Sequence, residues 1–513
     1  GNKMSNNIKS FLNKTRVETI LLVFFILQPA IEIYRAFLED TISIGPIALE
    51  QIINILFVAF FFILTVYKLI TEKQKKKIIL YGVYLATVLV YMILHCWNCS
   101  QFKENIYSAA EINIVTECYY ILRAYVMPVV LMLCIYELGM SNKTFLNIIK
   151  VVTFAISACI VITNIFGVSL VSYSLENEKI KGGITTWFGL TSSQNDLELY
   201  TSKGWFYSAN QISALLFSLA PIIVAEVVKK TNWKTVGLLV LQMVAMIMVG
   251  TKTSAMGILL VCIAIMLYAV GLHILKWEKA KSLVFIPVLI ITVLAGFMLY
   301  NVSPGRLRYG NFVKVEQEER EEAQDKPDNT ILSEADALQK YVEENYYYYY
   351  ISEDFLPMYP VKDDPEFWGQ LLSRDRNLNR DNRKLKIDVL DRIMERNDNK
   401  ADIALGMGYT SNIPDAERDY VYQYYILGIL GVIILIGPYV GILIYAGIRM
   451  LLQYKEKMNL QNGAILMSLA CLCIIAYLSG HVFGKSINML FLSLYGAMLL
   501  RNIHTEKQDK MEE

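Results

Sequence analysis

Two acids one residue apart, Glu417 and Asp419, close the longest polar stretch of the chain and stand directly before an apolar run. A carboxylate at such a boundary can take a proton from a hydroxyl group, provided burial lifts its pKa toward working pH. Asp419 also fits a plainer part as a first-turn acid favoured by the helix dipole. Glu417 fits that part less well and is the preferred base. Upstream, Arg380 and Arg383 lead into a segment of helical periodicity. Their planar forks suit phosphate oxygens, although a solvated helix face is the alternative for either one alone. Arg123, inside Tyr119–Pro128, and Lys252, in Gly250-Thr251-Lys252-Thr253-Ser254, are charges within or beside apolar runs. Charges there are costly, which makes both functional candidates, with ion pairing as the alternative for Arg123. His481 is the one histidine placed to reach the same end of the apolar runs, with a structural role as its alternative.

These residues need elements to hold them, and the chain offers mainly membrane. Of 513 residues 55% are apolar and only 19% charged, so runs long enough to span a bilayer dominate. About twelve such runs fall between 17 and 501, with 235–251 and 254–275 flanking Lys252 and 462–482 and 487–501 closing the series. The expected division is an N-terminal segment 1–16, nine spans over 17–301, a polar insert 302–419, three spans over 420–501 and a tail 502–513. Gly1-Asn2-Lys3 ahead of Met4 reads as an expression remnant. Carriers and channels seldom need one large extramembrane loop with cations clustered beside an acid, whereas a membrane enzyme working at the bilayer surface does. The fold class is therefore an all-α polytopic membrane protein.

Net charge is +1, which selects no partner. The distribution is more informative. Cations gather at Lys9/Lys14/Arg16, Lys68–Lys77, Lys229–Lys234, Lys276–Lys281, Arg449–Lys457 and Arg501/Lys507, all in connections that twelve alternating spans place on one side. The positive-inside rule then puts both termini in the cytoplasm and the insert outside. Within the insert, 314–366 is acidic and contains Tyr346–Tyr350, while 367–400 is basic. Leu385, Val389, Leu390, Ile393 and Met394 predict an amphipathic helix over 382–396, able to lie on the membrane, cap the bundle or act as a lid. Cys96, Cys99 and Cys118 share the outer end, but no second Cys pair completes a zinc site. No nucleotide fingerprint, Ser-His-Asp order or metal spacing appears, so no cofactor, metal or nucleic acid is expected.

The order of these features resembles the bacterial O-antigen ligase and Wzy-type polysaccharide polymerase superfamily. The segment Gly204–Ala214, with Asn210, looks like that family's glycine–asparagine stretch opening a span. Gly250–Ala255 carries Lys252 where the family usually has an arginine. Arg383 followed by Leu405-Gly406-Met407-Gly408-Tyr409, and then Gly428 and Gly431, resembles the late-loop stretch and the following span. Where ligases carry a His-Asn pair, this chain has Glu417-Arg418, which is similar to polymerase-like members from Gram-positive bacteria.

The resemblance implies an architecture of the GT-C type in a bacterial plasma membrane. It also implies a metal-independent, inverting glycosyltransferase that takes glycans from undecaprenyl pyrophosphate, with Glu417 as base. Arg380, Arg383, Lys252 and Arg123 would bind pyrophosphate, and Asn210, Tyr409, Asp419 and His481 would contact substrate. The implied partners are lipid-linked glycans, membrane lipid, and a chain-length regulator and flippase. A ligase of the same fold, and a transporter, are the alternatives.

Overall fold

The computed structural model describes residues 14–38, 43–44, 47–103, 106–174, 177–194, 196–310 and 335–505. The acidic stretch up to 334, together with Lys9, Lys507 and the first three residues, lies outside them. The fold is an all-α bundle. Its membrane helices are α1 (Lys14–Leu38), α2 (Leu49–Thr71), α3 (Lys75–Cys99), α4 (Ile114–Leu138), α5 (Asn142–Ile165), α6 (Ala209–Lys229), α7 (Trp233–Val249), α8 (Lys252–Ile274) and α9 (Phe285–Val302). After the insert, with its helices α10 (Ala335–Asn345), α11 (Pro365–Ser373) and α12 (Asn382–Asn397), follow α13 (Asp419–Leu452), α14 (Leu460–Leu478) and α15 (Ser486–His504). Eleven described helices are long and apolar enough to cross a membrane. Trp233–Val249, an apolar helix below that length, occupies the place of the remaining expected span.

Two helices form the axis. In α6 and α15, 89% and 83% of the apolar window is buried, against 22% in α3 and α9, which face outward. Helix α6 packs against α14, α8 and α7, and α15 against α4, α13 and α14. Prolines shape two of the spans. Pro128 and Pro438 each follow a π-turn, Leu122–Val126 and Val432–Ile436. A proline donates no hydrogen bond and crowds the carbonyl four residues back, so the ladder shifts register just before it. At Pro438 that carbonyl belongs to Ile434, and the Tyr84 hydroxyl donates to it at 2.9 Å.

The insert has its own core, in which Phe355, Tyr359, Trp368, Val389, Leu390 and Ile393 are fully buried. The amphipathic helix is therefore a structural wall of the insert: its apolar stripe is spent on this core and is not available to rest on lipid as a lid. Asp364 ties α11 to it, accepting from Arg392 Nε at 2.7 Å.

Glycines bolt the end of the insert to α13. Gly406 (φ +80°) and Gly428 (φ +70°) lie back to back, and a Cβ on either would overlap the backbone of the other segment. The close approach lets Met407 N–H and Gly408 N–H donate to the carbonyls of Tyr425 and Ile426 at 2.8 and 2.9 Å. It also breaks α13, and the Tyr91 hydroxyl takes up the freed Leu427 carbonyl at 2.6 Å, in space that Gly431 leaves open. Beside this junction His95 and Glu117, both fully buried, meet at 2.7 Å. Glu117 also accepts from the backbone N–H groups of Tyr409 and Thr410, each at 2.9 Å.

Gly428→Ala is expected to destabilise the fold by more than about 2 kcal/mol, because Gly428 occupies a backbone region other residues rarely adopt and has no room for a methyl group. Thermal unfolding in detergent should show a clearly lowered midpoint relative to Gly447→Ala, where a Cβ meets nothing. Equal midpoints would disprove the back-to-back junction.

Candidate functional site

The insert rejoins the membrane through a tight turn that ends at Asp419. This carboxylate is 4% exposed and accepts three successive backbone N–H groups, from His481 at 3.0 Å and from Val482 and Phe483 at 2.7 Å. It thereby clasps the α14–α15 connection onto the head of α13. Gly480 makes the fit possible, since a Cβ there would stand 2.9 Å from an Asp419 oxygen and 3.2 Å from Glu417. The clasp forces two non-glycine residues, Glu417 (φ 55°) and His481 (φ 67°), into the left-handed region. Such conformations are costly and persist where surrounding structure over-determines them.

Around this clasp lies a charged cluster. Lys386 Nζ stands 2.6 Å from Glu417 Oε1, and Arg383 Nε 3.5 Å from Glu417 Oε2. One helical turn separates Arg383 from Lys386, so both leave the same face of α12. Arg383 also donates to the Leu478 carbonyl at 2.8 Å, tying α12 to the end of α14. The Lys386 side chain is only 8% exposed, and Glu417 is its carboxylate partner. Burial acts to raise the Glu417 pKa, but Lys386 and then Arg383 overrule it and hold the carboxyl below its ordinary value. The expected lift toward working pH is absent in this resting arrangement, because the cations that surround the acid outweigh its desolvation.

His481 adds a second acceptor. Asn210, in the first turn of α6, donates its amide to His481 Nε2 at 3.2 Å. Burial first, and then Lys485, push the imidazole below its ordinary pKa, so it is neutral at pH 7. Sequence reasoning placed Asn210, His481, Asp419, Glu417 and Arg383 in one site, and the structure brings these five together. Asp419 needs correction: both its oxygens are used by backbone N–H groups within the protein, which makes it a positioning residue and leaves it no contact for substrate.

Tyr409 and Arg123 form a neighbouring group. Tyr409 stacks on Tyr120 at 4.0 Å between centroids, and Arg123 lies 5.7 Å over the Tyr120 ring. Among the described residues Arg123 makes no ion pair, and the Tyr120 hydroxyl approaches the 480–485 turn at Gly484. Arg380 and Lys252 are placed differently. Each sits over a tyrosine ring, Arg380 4.2 Å from Tyr350 and Lys252 4.0 Å from Tyr309, and neither touches Glu417. The expected quartet of pyrophosphate cations is therefore one residue, Arg383, at the acid and three outside its contact. Lys386 was the residue missed, although its spacing from Arg383 carried the signal.

His95, Cys99 and Glu117 place possible metal-ligand atoms within 4.8 Å of one another. Their donors and acceptors are already engaged: His95 Nδ1 meets the Leu405 carbonyl at 2.5 Å, and Glu117 is filled by His95, Tyr409 and Thr410. The trio fits a structural pin better than a metal site.

A family model described as O-antigen ligase like membrane protein matches residues 14–506. Curated proteins yield no match to this chain.

The depressed pKa values of His481 and Glu417 set a pH dependence. Both groups bind protons more readily once unfolded, so their contribution to stability is complete above the ordinary histidine value of 6.5 and declines as pH falls below it. Glu417 adds its share of the decline below the ordinary carboxyl value of 4.5. Replacing His481 with Gln should flatten the fall in unfolding midpoint between about pH 6.5 and 5. A slope unchanged from the wild type would rule out a neutral, buried imidazole. Asp419→Ala, which orphans three backbone N–H groups, should cost on the order of 3 kcal/mol and speed hydrogen exchange across His481–Phe483. Unaltered exchange there would refute the clasp.

Proposed function

The chain belongs to the O-antigen ligase-like membrane protein family, and on that premise we propose that it polymerises lipid-linked oligosaccharide repeat units at the outer face of a bacterial plasma membrane. The donor is a glycan on undecaprenyl pyrophosphate, and the acceptor is the non-reducing-end hydroxyl of an incoming lipid-linked unit. The observation that carries this reading is the triad Glu417–Lys386–Arg383, an acid and two cations fixed where the insert meets the bundle.

Lys386 is buried and needs an anion close by, because an unpaired buried charge is expensive. In the resting protein Glu417 supplies that anion. A pyrophosphate carries more charge and presents several oxygens, so it can displace the carboxylate from both cations. The exchange does two things. It holds the leaving group between Arg383 and Lys386, where fixed cations stabilise the charge that develops as its bond breaks. It also removes the influence that depressed the Glu417 pKa, leaving burial to raise it and making the carboxylate a better base.

The acceptor oxygen then forms a bond to the anomeric carbon from the face opposite the pyrophosphate. The bond from that carbon to pyrophosphate oxygen breaks, the hydroxyl proton passes to Glu417, and lipid pyrophosphate leaves as the anion. Configuration inverts in one step. Two fixed side-chain cations at the leaving group suit a metal-independent reaction. His481 and Asn210 orient the sugar hydroxyls, and the exposed edge of Tyr409 offers a stacking surface. The insert lies outside the cell and both termini inside, in keeping with the cation distribution.

Purified protein given the lipid-linked repeat unit and a chelator should release lipid pyrophosphate and yield a ladder of product sizes. Glu417→Gln should lower transfer by at least about a thousandfold, within the range general-base removal and loss of an ion pair produce together. Arg383→Ala should act similarly without loss of folding. A single transfer seen only with a second acceptor would instead assign a ligase, and full-length polymer from Glu417→Gln would eliminate this acid as the base.

A further inference from the structure

Asn210, bonded to His481, also lines a cavity of about 540 Å³ between the end of α1 and the head of α6. Arg35 and Lys203 line it, and among the described lining residues none is acidic. Lys203 is 3% exposed, and its ammonium donates to two backbone carbonyls, Tyr207 at 3.1 Å and Ser174 at 3.3 Å. Among the described residues it has no carboxylate partner. Burial pushes its pKa below the ordinary lysine value, the mark of a cation held without a counter-charge. Arg35 lies 4.3 Å over the Tyr207 ring and 3.9 Å from Glu32.

The first turn of α6 also opens into the cavity through Ser208, Ala209 and Asn210. Backbone N–H groups there and the positive end of a 21-residue helix dipole add to the attraction for an anion. The rim is apolar. Phe37 and Leu38, the last residues of a membrane helix, line the cavity and are 49% and 46% exposed. A cationic interior opening beside the exposed apolar end of a spanning helix matches a ligand with an anionic head and a hydrocarbon tail. Its volume falls within the range of small-molecule sites and exceeds that of a bare diphosphate.

We propose that this cavity is a second anion site, separate from Arg383 and Lys386, which takes the phosphate or pyrophosphate headgroup of a lipid. If the polymerase reading holds, its occupant is the pyrophosphate of the incoming acceptor, while Arg383 and Lys386 hold that of the donor. Asn210 then stands between the two sites, lining one and bonded to His481 of the other. Two lipid-linked substrates would approach the same base with their like-charged headgroups in separate cationic seats.

The test is binding, measured on the full chain in nanodiscs of neutral lipid titrated with farnesyl pyrophosphate. Two binding events are expected. Arg35→Gln should weaken one of them by about tenfold, as loss of one charge-assisted contact does, and leave the other unchanged. Arg383→Ala should do the converse. Lys203→Met can fail by misfolding, so Ser174→Asp, which brings a carboxylate to Lys203 without removing a buried side chain, should reproduce the loss. Displacement of one farnesyl pyrophosphate by phosphatidylglycerol would support a lipid phosphate seat and identify bulk phospholipid as its source. Inorganic pyrophosphate binding there as tightly as farnesyl pyrophosphate would overturn the lipid assignment. Binding, in one event or two, that is indifferent to both Arg35→Gln and Ser174→Asp would overturn the site, whereas a single event weakened by both would keep it and remove the Arg383 seat. None of these readouts requires transfer, so binding can hold while the polymerase reading fails, and the reverse.

Discussion

The Asp419 clasp is the interaction on which the site depends. One buried carboxylate gathers three consecutive N–H groups of the α14–α15 connection, and those groups would otherwise be unpaired in a dry environment. The bonds fix a turn that carries His481 against a turn that carries Glu417. Both residues are consequently held with positive φ, a conformation neither would choose alone. A general base must be placed to within a fraction of an ångström, and a loop is a poor platform for that unless something rigid holds it. Here the rigid body is the bundle axis: α15 is the helix that follows the clasped turn, and α6 supplies Asn210.

Electrostatics then settles what the site lacks at rest. Lys386 and Lys203 are both buried lysines, yet they are satisfied differently. Lys386 has a carboxylate at 2.6 Å, whereas Lys203 has two carbonyl dipoles. A protein that only needed stability would gain little from either, since well-packed apolar residues often do as well as buried charges. Their presence near the same end of the bundle, together with Arg123 over the Tyr120 ring, fits the anionic substrate proposed above. The resting pair between Glu417 and Lys386 fixes a half-buried carboxylate in one place and lowers its pKa, which the proposed mechanism requires substrate to reverse.

Most of the fold was legible because membrane spans announce themselves by composition, and α12 by the recurrence of Leu385, Val389, Leu390 and Ile393. The glycines at 406, 408, 428 and 431 were visible as a pattern, but the reason for them was not. Only three-dimensional structure shows that Gly406 and Gly428 face each other across separate segments. Composition alone does not mark where α5 ends: it stops at Ile165, before the turn at Gly167, although apolar residues continue to Val171. In the site, residue type revealed Glu417 and Arg383 but not the sign of the Glu417 shift, which depends on a cation 31 residues away. Lys386 hid within a run of cations, and Arg35 and Lys203 hid because the chain separates them by four spans. Arg380 and Lys252 lie over tyrosine rings and away from Glu417, a placement that nothing in the sequence announces.

The division of labour between insert and bundle follows from where rigidity can be had. Helix α12 spends its apolar stripe inside the insert, with Lys386 buried within that stripe and Arg383 beside it, so moving those cations would mean moving the whole insert. The insert in turn is pinned at the Gly406–Gly428 contact and at His95–Glu117, both against membrane helices. Closure over a substrate by α12 alone would have to break this core. The less costly change is the exchange of one anion for another at Lys386, in which no helix shifts and the buried ammonium keeps an anionic partner. Under the polymerase reading proposed above, a glycan extended repeatedly would have to leave and re-enter an open site, and fixed walls with an exchangeable counter-ion allow that more readily than a lid that must be lifted each time.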